Sequence, residues 1–503
     1  IILFIHYYFS LEVYSDQQIN KFQERTMRIE KDALGEMNLP DDAYYGIQSL
    51  RCAENHNVTD HTFRELRQIQ TALAEIKMAC AAANYRIGAL SQEKAEAIIH
   101  ACEEMRRGNF ADQFPINIWR SHGTGANMNA NEVLANRANE LLTGHKGYDT
   151  VHPNTHVNMC QSSNDVYPTV QSIVFYRMIG DVLDSVELLE NSLGRRALEF
   201  KDAVRLGRTC LQDAVPNTFG QVFGGWQHMI WRLRVRLQDF REGCRSVPLG
   251  ATVLGTGMGQ MPGYGEAVMK ELSSVLGWQV YWPVWDKEVI EDSAVFDSMQ
   301  NCDETMVLAG LLKALCCAAA RIAKDLCVYA SGPDHGFNEI FLQPYEGRRP
   351  SFIPELMIEL MQRSVAFDQV ATLTVNENDG DEAINDSASF VNAMELLESM
   401  KNAFALFSVH CIDTLKINES HAKENAEMST SLATMVSALF GYEIGTKIAH
   451  KAWEEGISCK EAALKEGLIS SEVADELFDP LKLTNRHELT AMFQKYGNFR
   501  KIK

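Results

Sequence analysis

Apolar residues recur at helical spacing over most of the chain from about Arg64 onward. Residues 179–200 place Val182, Val186, Leu189 and Leu193 on one helical face. Residues 305–330 are apolar nearly all round, the pattern of a helix central to a bundle. Residues 387–415 carry Phe390, Met394, Leu397, Phe404, Phe407 and Ile412 on related faces, with Lys401 the one charge interrupting that series. At 1.5 Å per residue the longest of these helices reach about 40 Å. That length predicts a mostly α fold built on a long-helix bundle. Polar, Gly-bearing loops are expected between the helices, at 117–131, 152–169, 206–221, 248–264, 331–354 and 376–386. The last eighty or so residues change character, with shorter helices expected at 444–455 and 470–478. The chain is read as an extension (1–26), an N-terminal domain (27–166), a central helical-bundle domain (167–420) and a small C-terminal helical domain (421–503), the last of them from this change of pattern.

Composition narrows the classes of partner. The 47 Lys and Arg against 67 Asp and Glu give a net charge of −20, and no basic block interrupts the acidity. Nucleic acid and anionic membranes are poor partners for such a chain. A small anionic substrate is not excluded, because one pocket can be polar or basic inside an acidic molecule. The 12 cysteines are scattered, with one adjacent pair at Cys316 and Cys317 and no C-x-x-C. Reduced, mostly buried thiols in a cytoplasmic protein are expected, not a disulfide framework or a zinc motif. The apolar start, Ile1 to Phe9, is too short to span a bilayer and lacks the features of a secretory signal. Residues 1–26 are read as an over-extended start or an appendage, with a short membrane-interactive leader as the rival. The apolar run at 306–330 carries Lys313, Arg321, Lys324 and Asp325, which argues for a protein core.

Three segments concentrate hydroxyls, amides and small residues: 123–129, 152–165 and 207–214. Together they could form a largely neutral donor cage for a carboxylate. The plain alternative is helix capping and turn chemistry, for which Ser, Asn and Asp are the usual residues. The run Gly255-Thr256-Gly257-Met258-Gly259 resembles a nucleotide loop, but Pro262 follows it closely and no βαβ setting surrounds it. His152 and His156 lie four apart, yet Pro153 argues against a helix presenting both to a metal.

Ordered motifs then accumulate from Met27 to about Leu481. They include Asp42-Ala43-Tyr44-Tyr45-Gly46, Asp112-Gln113-Phe114-Pro115, Gly123-Thr124 and the run Asn127 to Asn136. Ser162-Ser163-Asn164-Asp165, Arg208-Thr209 with Leu211-Gln212-Asp213-Ala214, Leu249-Gly250-Ala251-Thr252, Ser331-Gly332-Pro333 and Asn338-Glu339-Ile340 follow. In this order the motifs resemble the aspartase/fumarase superfamily, and most nearly its aspartate ammonia-lyases. The resemblance implies a three-domain homotetramer with a central helix bundle and each active site assembled from three subunits. It also implies a cofactor-free lyase, with no metal, in which a base removes a proton beside a carboxylate and ammonia or water leaves the neighbouring carbon. By the same resemblance Thr124, Asn127, Ser162, Ser163, Asn164 and Thr209 bind substrate and the developing charge.

The chain departs from that pattern at one decisive place. The superfamily's mobile loop reads Gly-Ser-Ser-x-x-Met-Pro-x-Lys-x-Asn, its serine acting as base and its Lys and Asn gripping a second carboxylate. Between Ile340 and Pro354 this chain has neither a Ser-Ser pair, a Met-Pro nor a Lys-x-Asn. Cys210 stands where relatives have His or Gln, Gly125 where they have Ser, and Asp334 where they have Arg. Asp381 and Glu382 occupy a stretch that is usually uncharged. Tyr345 and Arg348 are the candidate catalytic residues in the altered interval, with Glu346 and Arg349 as assistants; a shortened surface turn is the plain alternative. The expected function is carbon–nitrogen lysis of an amino-acid-like carboxylate, inefficient on aspartate. Ordinary aspartate ammonia-lyase, an ergothionase-like trimethylamine lyase and an inactive structural or regulatory homologue stand as alternatives.

Overall fold

The computed structural model describes residues 26–119, 122–345, 352–375, 380–381 and 387–497. The reading of residues 1–26 as an extension therefore lies, save Thr26, outside the described residues. Strands β1 (Met27–Asp32) and β2 (Gly35–Pro40) pair antiparallel, pairing Met27 with Pro40 and Asp32 with Gly35. Helices α1 (Ile47–Asn55), α2 (Arg67–Arg86), α3 (Gln92–Arg107) and α4 (His122–Thr143) follow. Helix α5 (Ser163–Glu199) has 37 residues, a length of about 55 Å. A second hairpin, β3 (Val204–Thr209) with β4 (Gln212–Thr218), leads into α6 (Phe219–Gly243). Then come α7 (Tyr264–Leu276), α8 (Ser293–Gln300), α9 (Asp303–Tyr329), the short strand β5 (Ile340–Phe341), α10 (Phe352–Thr374), α11 (Ser387–Phe407), β6 (Lys416–Ile417) and α12 (Glu419–Met428). The fold is mostly α.

Two compact units share these elements. One holds residues up to Arg177 with Arg241–Val307 and Gln369–Met394; the other holds Met178–Phe240, Leu308–Asp368 and Glu395 onward. In the first, α2 is Ala-rich and buried on nearly all sides and packs against α3 and α7, with Leu73, Ile76, Ile98, Val268 and Leu272 of these helices buried. In the second, Lys313 of α9 meets Asp368 of α10 at 2.5 Å. Helix α9 is long and apolar enough to cross a bilayer, but 56% of its apolar stretch is already buried inside the fold. The helices from Ala433 to Tyr496 surround their own apolar cluster, which includes Leu439, Ile448, Ala463, Leu477 and Met492. Ser458 and Glu461 form a capping box there, and Ser470 caps the next helix by accepting from Val473 N–H.

Local expectations are corrected at several places: residues 122–131 begin α4 and residues 163–169 begin α5, where loops were expected. Residues 206–221 are not a loop but largely the β3–β4 hairpin and the start of α6. Its two-residue turn puts Cys210 and Leu211 at φ 51° and 60°, the left-handed pair that a tight hairpin demands and that usually selects Asn-Gly. Gly207 sits at the bulge in β3, where a Cβ would come within 2.6 Å of the Val215 carbonyl. Regular α-helix ends at Phe407, and a π-helical turn, Ser408–Ile412, takes the place of its continuation to 415. Pro153 starts a short π-helical turn, Pro153–Val157, because Pro at the first helical position gives up no hydrogen bond.

In the first unit the α1 terminus is held by one buried carboxylate. Glu132 of α4 accepts from the N–H groups of Gly46 (2.9 Å), Gln48 (2.8 Å) and Ser49 (3.0 Å), and from the Ser49 hydroxyl (2.6 Å). An anion at a helix N-terminus satisfies backbone donors that have no partner within the helix. Burial nevertheless pushes the carboxyl up from 4.5 to about 7, against the pull of those bonds. Between these values the folded chain holds a proton that the unfolded chain has lost, so this group lowers stability as pH rises from 4.5 to 7. Glu132→Gln is expected to flatten that part of the melting profile. At neutral pH it also sets an amide N–H₂ against backbone donors, at about 1–3 kcal/mol. An unchanged slope in thermal melts across this range contradicts the assignment.

Candidate active site

In the first unit two helix N-termini approach closely. A Cβ on Gly123, in the first turn of α4, would lie 2.5 Å from the Cβ of Tyr167 on α5. Asn127 of α4 donates to Ser163 Oγ at 3.0 Å and to Asn158 Oδ1 at 3.2 Å. Asn131 Nδ2 (3.2 Å) and Lys77 Nζ (2.9 Å) converge on the same Asn158 oxygen. Lys77 also donates to Gln161 Oε1 at 2.8 Å. The Oδ1 atoms of Asn127 and Asn131 are buried without a protein partner. Hydroxyl and amide donors beside paired helix termini are suited to a carboxylate.

The backbone of this cluster hangs on Asp165. Its Oδ1 accepts from Ser162 N–H at 2.9 Å, and its Oδ2 from Gly250 N–H (3.0 Å) and Thr252 N–H (2.8 Å). Ser162 Oγ accepts from Asn164 N–H at 3.2 Å, so Ser162 and Asp165 cap α5 reciprocally. Asn164 Nδ2 donates to the Val253 carbonyl at 3.0 Å. Capping and substrate binding are compatible in Ser162, whose oxygen serves the cap while its hydrogen stays free to donate. Burial pushes Asp165 up to about 7, opposed by the three backbone N–H groups and Lys77. Burial pulls Lys77 down to about 8, opposed by Cys80 and Asp165.

The residues singled out from sequence thus separate. Asn127, Ser162, Ser163 and Asn164 belong to one network, with Thr124 exposed on the first turn of α4. Thr209 is exposed at the end of β3, in the second unit, next to the exposed thiol of Cys210. Tyr345 belongs to the second unit too, and its hydroxyl lies 2.9 Å from His410 Nδ1. Arg348, with Glu346, Arg349 and Glu382, lies outside the described residues; Asp334 and Asp381 are exposed. Lys77 and His410 were not anticipated, and Asn158 and Gln161 only as members of the polar segment 152–165. For Lys77 the signal was a lone Lys inside the mostly apolar run 72–83. His156 Nδ1 accepts from the N–H of His152 at 2.9 Å, and Lys94 Nζ lies 2.9 Å from its Nε2.

A second anchor joins the elements that carry Thr209 and Tyr345. Glu339 is fully buried; its Oε1 accepts from Arg208 Nη2 at 2.7 Å, and Arg205 Nε lies 3.7 Å from its Oε2. The Arg205 and Arg208 guanidinium groups lie over the rings of Tyr329 (4.2 Å) and Phe337 (4.3 Å). The Glu339 carbonyl accepts from Asn418 N–H at 2.9 Å, and Ile340 pairs with Ile417. Hairpin, β5 and β6 are therefore one framework.

Residues 35–348 match a family model described as Lyase, and residues 432–485 one described as Fumarase C C-terminus. The chain belongs to the aspartase/fumarase superfamily. It is 33% identical over 468 residues to an aspartate ammonia-lyase of a Bacillus species, covering 91% of this chain and 98% of that one. It is 34% identical over 466 residues to a class II fumarate hydratase of Bacillus anthracis, with 91% and 98% covered. A class II fumarase from Schistosoma mansoni superposes with a TM-score of 0.85 at 28% identity, covering 92% of this chain and all of that one. A fumarate lyase:delta crystallin from Brucella melitensis, bound to cobalt, gives 0.85 at 31% with the same coverage. As a member of this superfamily the chain is a lyase.

Lys77→Met removes the donor to Gln161 Oε1 and one of the three, among the described residues, to Asn158 Oδ1. A loss of about 1–3 kcal/mol is expected. Between about pH 8 and 10.5 the unfolded chain binds the Lys77 proton that the folded chain has released, so wild-type stability rises with pH relative to the variant. Chemical denaturation of both proteins across that range checks the sign; a constant difference contradicts it.

Proposed function

We propose that this lyase eliminates ammonia or an amine from an amino-acid-like carboxylate, leaving an α,β-unsaturated acid, and that aspartate is a poor substrate. The observation that carries the reading is the network of Asn127, Asn158, Ser163 and Ser162 at the starts of α4 and α5. Uncharged donors of this kind suit the substrate carboxylate and the charge that develops on it when the neighbouring C–H bond breaks. Thr124, Asn164 and Thr209 complete the proposed binding set. Sequence supplies the other half of the reading: the interval after Ile340 lacks the residues that would hold a second carboxylate. Exposed acids at Asp334 and Asp381 favour a substrate whose remainder is cationic or heteroaromatic. Tyr345 and Arg348 are the proposed proton-transfer and charge-binding residues of the altered interval.

The proposal extends to a cytoplasmic homotetramer that needs no metal or cofactor, does not bind nucleic acid or membrane, and assembles its sites from different subunits. None of the 12 cysteines is in a disulfide, which fits a reducing compartment. Exposed apolar residues on the long helices, among them Leu198, Trp231, Val365 and Leu406, fit faces covered by further copies.

Because elimination produces a conjugated alkene, ultraviolet absorbance reads turnover directly. A panel of L-aspartate, L-malate, monocarboxylic α-amino acids and trimethylammonium acids is expected to yield one or more monocarboxylate substrates. L-Aspartate should lag the best of them by about 10²–10⁴ in kcat/KM, the usual worth of a positioned acid or base. Turnover of L-aspartate or L-malate at about 10 s⁻¹ or more, a typical enzyme rate, overturns the proposal. On the best substrate Ser163→Ala should lower kcat/KM about 10–100-fold, equivalent to losing one charge-assisted hydrogen bond.

A further inference from the structure

The geometry points to His410 as the residue that positions Tyr345 and takes its proton, a role that rests on the reading of Tyr345 given above. The two side chains come from segments 65 residues apart. Tyr345 follows β5, and His410 lies in the π-helical turn Ser408–Ile412 just before β6. The rings meet edge to face, their centroids 4.9 Å apart at 79°, with the phenolic oxygen 2.9 Å from Nδ1. Both are half-buried, so the pair is reachable yet partly shielded from water. The β5–β6 pairing of Ile340 with Ile417 fixes the two segments against each other. A π-helical turn is a local irregularity that recurs where a side chain must be aimed. Here it is well supported: Ser408 Oγ donates to Phe404 O, Thr414 Oγ1 to His410 O, and Asp413 N–H to Ser408 O.

The charged groups around this turn are already engaged. Asp413 takes Arg195 Nη2 at 3.0 Å, while Arg196 donates from Nε to the Ile412 carbonyl at 2.8 Å and pairs with Glu199. Burial holds the neighbouring Cys411 thiol well above its usual range, as a neutral group. Among these groups the His410 imidazole is the one base in contact with Tyr345.

A free phenol is a poor base near neutral pH. With Nδ1 accepting, the phenolic oxygen can take a proton from carbon while its own proton passes to the imidazole. The C–H electron pair becomes the new C=C bond, and the C–N pair leaves with the amine. The imidazolium then returns its proton to the departing amine or to water. Tyrosine and histidine would thus supply the base that the missing serine loop provides in relatives.

The test uses the full-length enzyme and the best substrate from the panel. His410→Ala should lower kcat about 10²-fold or more with KM changed less than about threefold, and free imidazole should restore part of kcat. Tyr345→Phe should lose as much and gain nothing from imidazole. A substrate-free readout is the His410 Nδ1 resonance in nitrogen-15 NMR, which Tyr345→Phe should shift by removing the hydroxyl 2.9 Å away. Unchanged kcat, a loss confined to KM, or an Nδ1 resonance that Tyr345→Phe leaves in place overturns the role of His410. Absence of turnover across the whole panel overturns the proposed activity instead, and the Nδ1 resonance still decides the pairing.

Discussion

One buried carboxylate organises the candidate site. Asp165 sits three residues inside the capping Ser162 and accepts backbone N–H groups from Ser162, Gly250 and Thr252. Those donors belong to the entrance of α5 and to a loop some 85 residues later, so one side chain fixes the position of both. Ser163 and Asn164 ride on the same helix turn and inherit that placement. The cost is a charge away from water, visible in the upward push on Asp165 and the downward pull on Lys77. Each opposes the shift of the other, so the acid and the amine stabilise one another's charged form. The Asn158 and Gln161 oxygens complete the solvation of Lys77 that water would otherwise give.

Glu339 plays the equivalent part in the second unit. It ties Arg208, the neighbour of Thr209, to the strand that leads into Tyr345. In each unit a buried acid anchors its surroundings, Asp165 through backbone N–H groups and Glu339 through the Arg205 and Arg208 side chains of the hairpin, and the candidate site residues lie on the segments so held. In the proposed function, uncharged donors are then left to meet the substrate. Such a site discriminates by geometry and by the pairing of its amides and hydroxyls, and less by attraction between net charges.

Much of this was legible in the sequence because it follows from periodicity. The long helices announce themselves through apolar residues at 3.6-residue spacing, and the polar segment 162–165 stands out for its composition. Elements that rest on turn chemistry were hidden. Cys210-Leu211 gives no sign of a hairpin turn, since neither residue favours positive φ. The π-helical turn at His410 follows a regular apolar pattern and becomes visible only through its hydrogen bonds. Long-range partners were equally out of reach. Nothing in the spacing of Lys77, Asn158 and Asp165, or of Arg208 and Glu339, shows that each buried charge is matched across 80 or more residues. The superfamily motifs gave the order of the segments, and the departures from them are what the proposed difference in substrate rests on.

The central claim is that this lyase grips one carboxylate through neutral donors and lacks a clamp for a second. Affinity for unsaturated product acids tests it with no assumption about turnover. Calorimetric titration of the wild-type protein with fumarate, and with an unsaturated monocarboxylate bearing a heteroaromatic ring, gives the comparison. The monocarboxylate is expected to bind at least as tightly as fumarate, and Ser163→Ala should weaken it about 10-fold or more. Fumarate binding 10-fold or more tightly than every monocarboxylate tried contradicts the account.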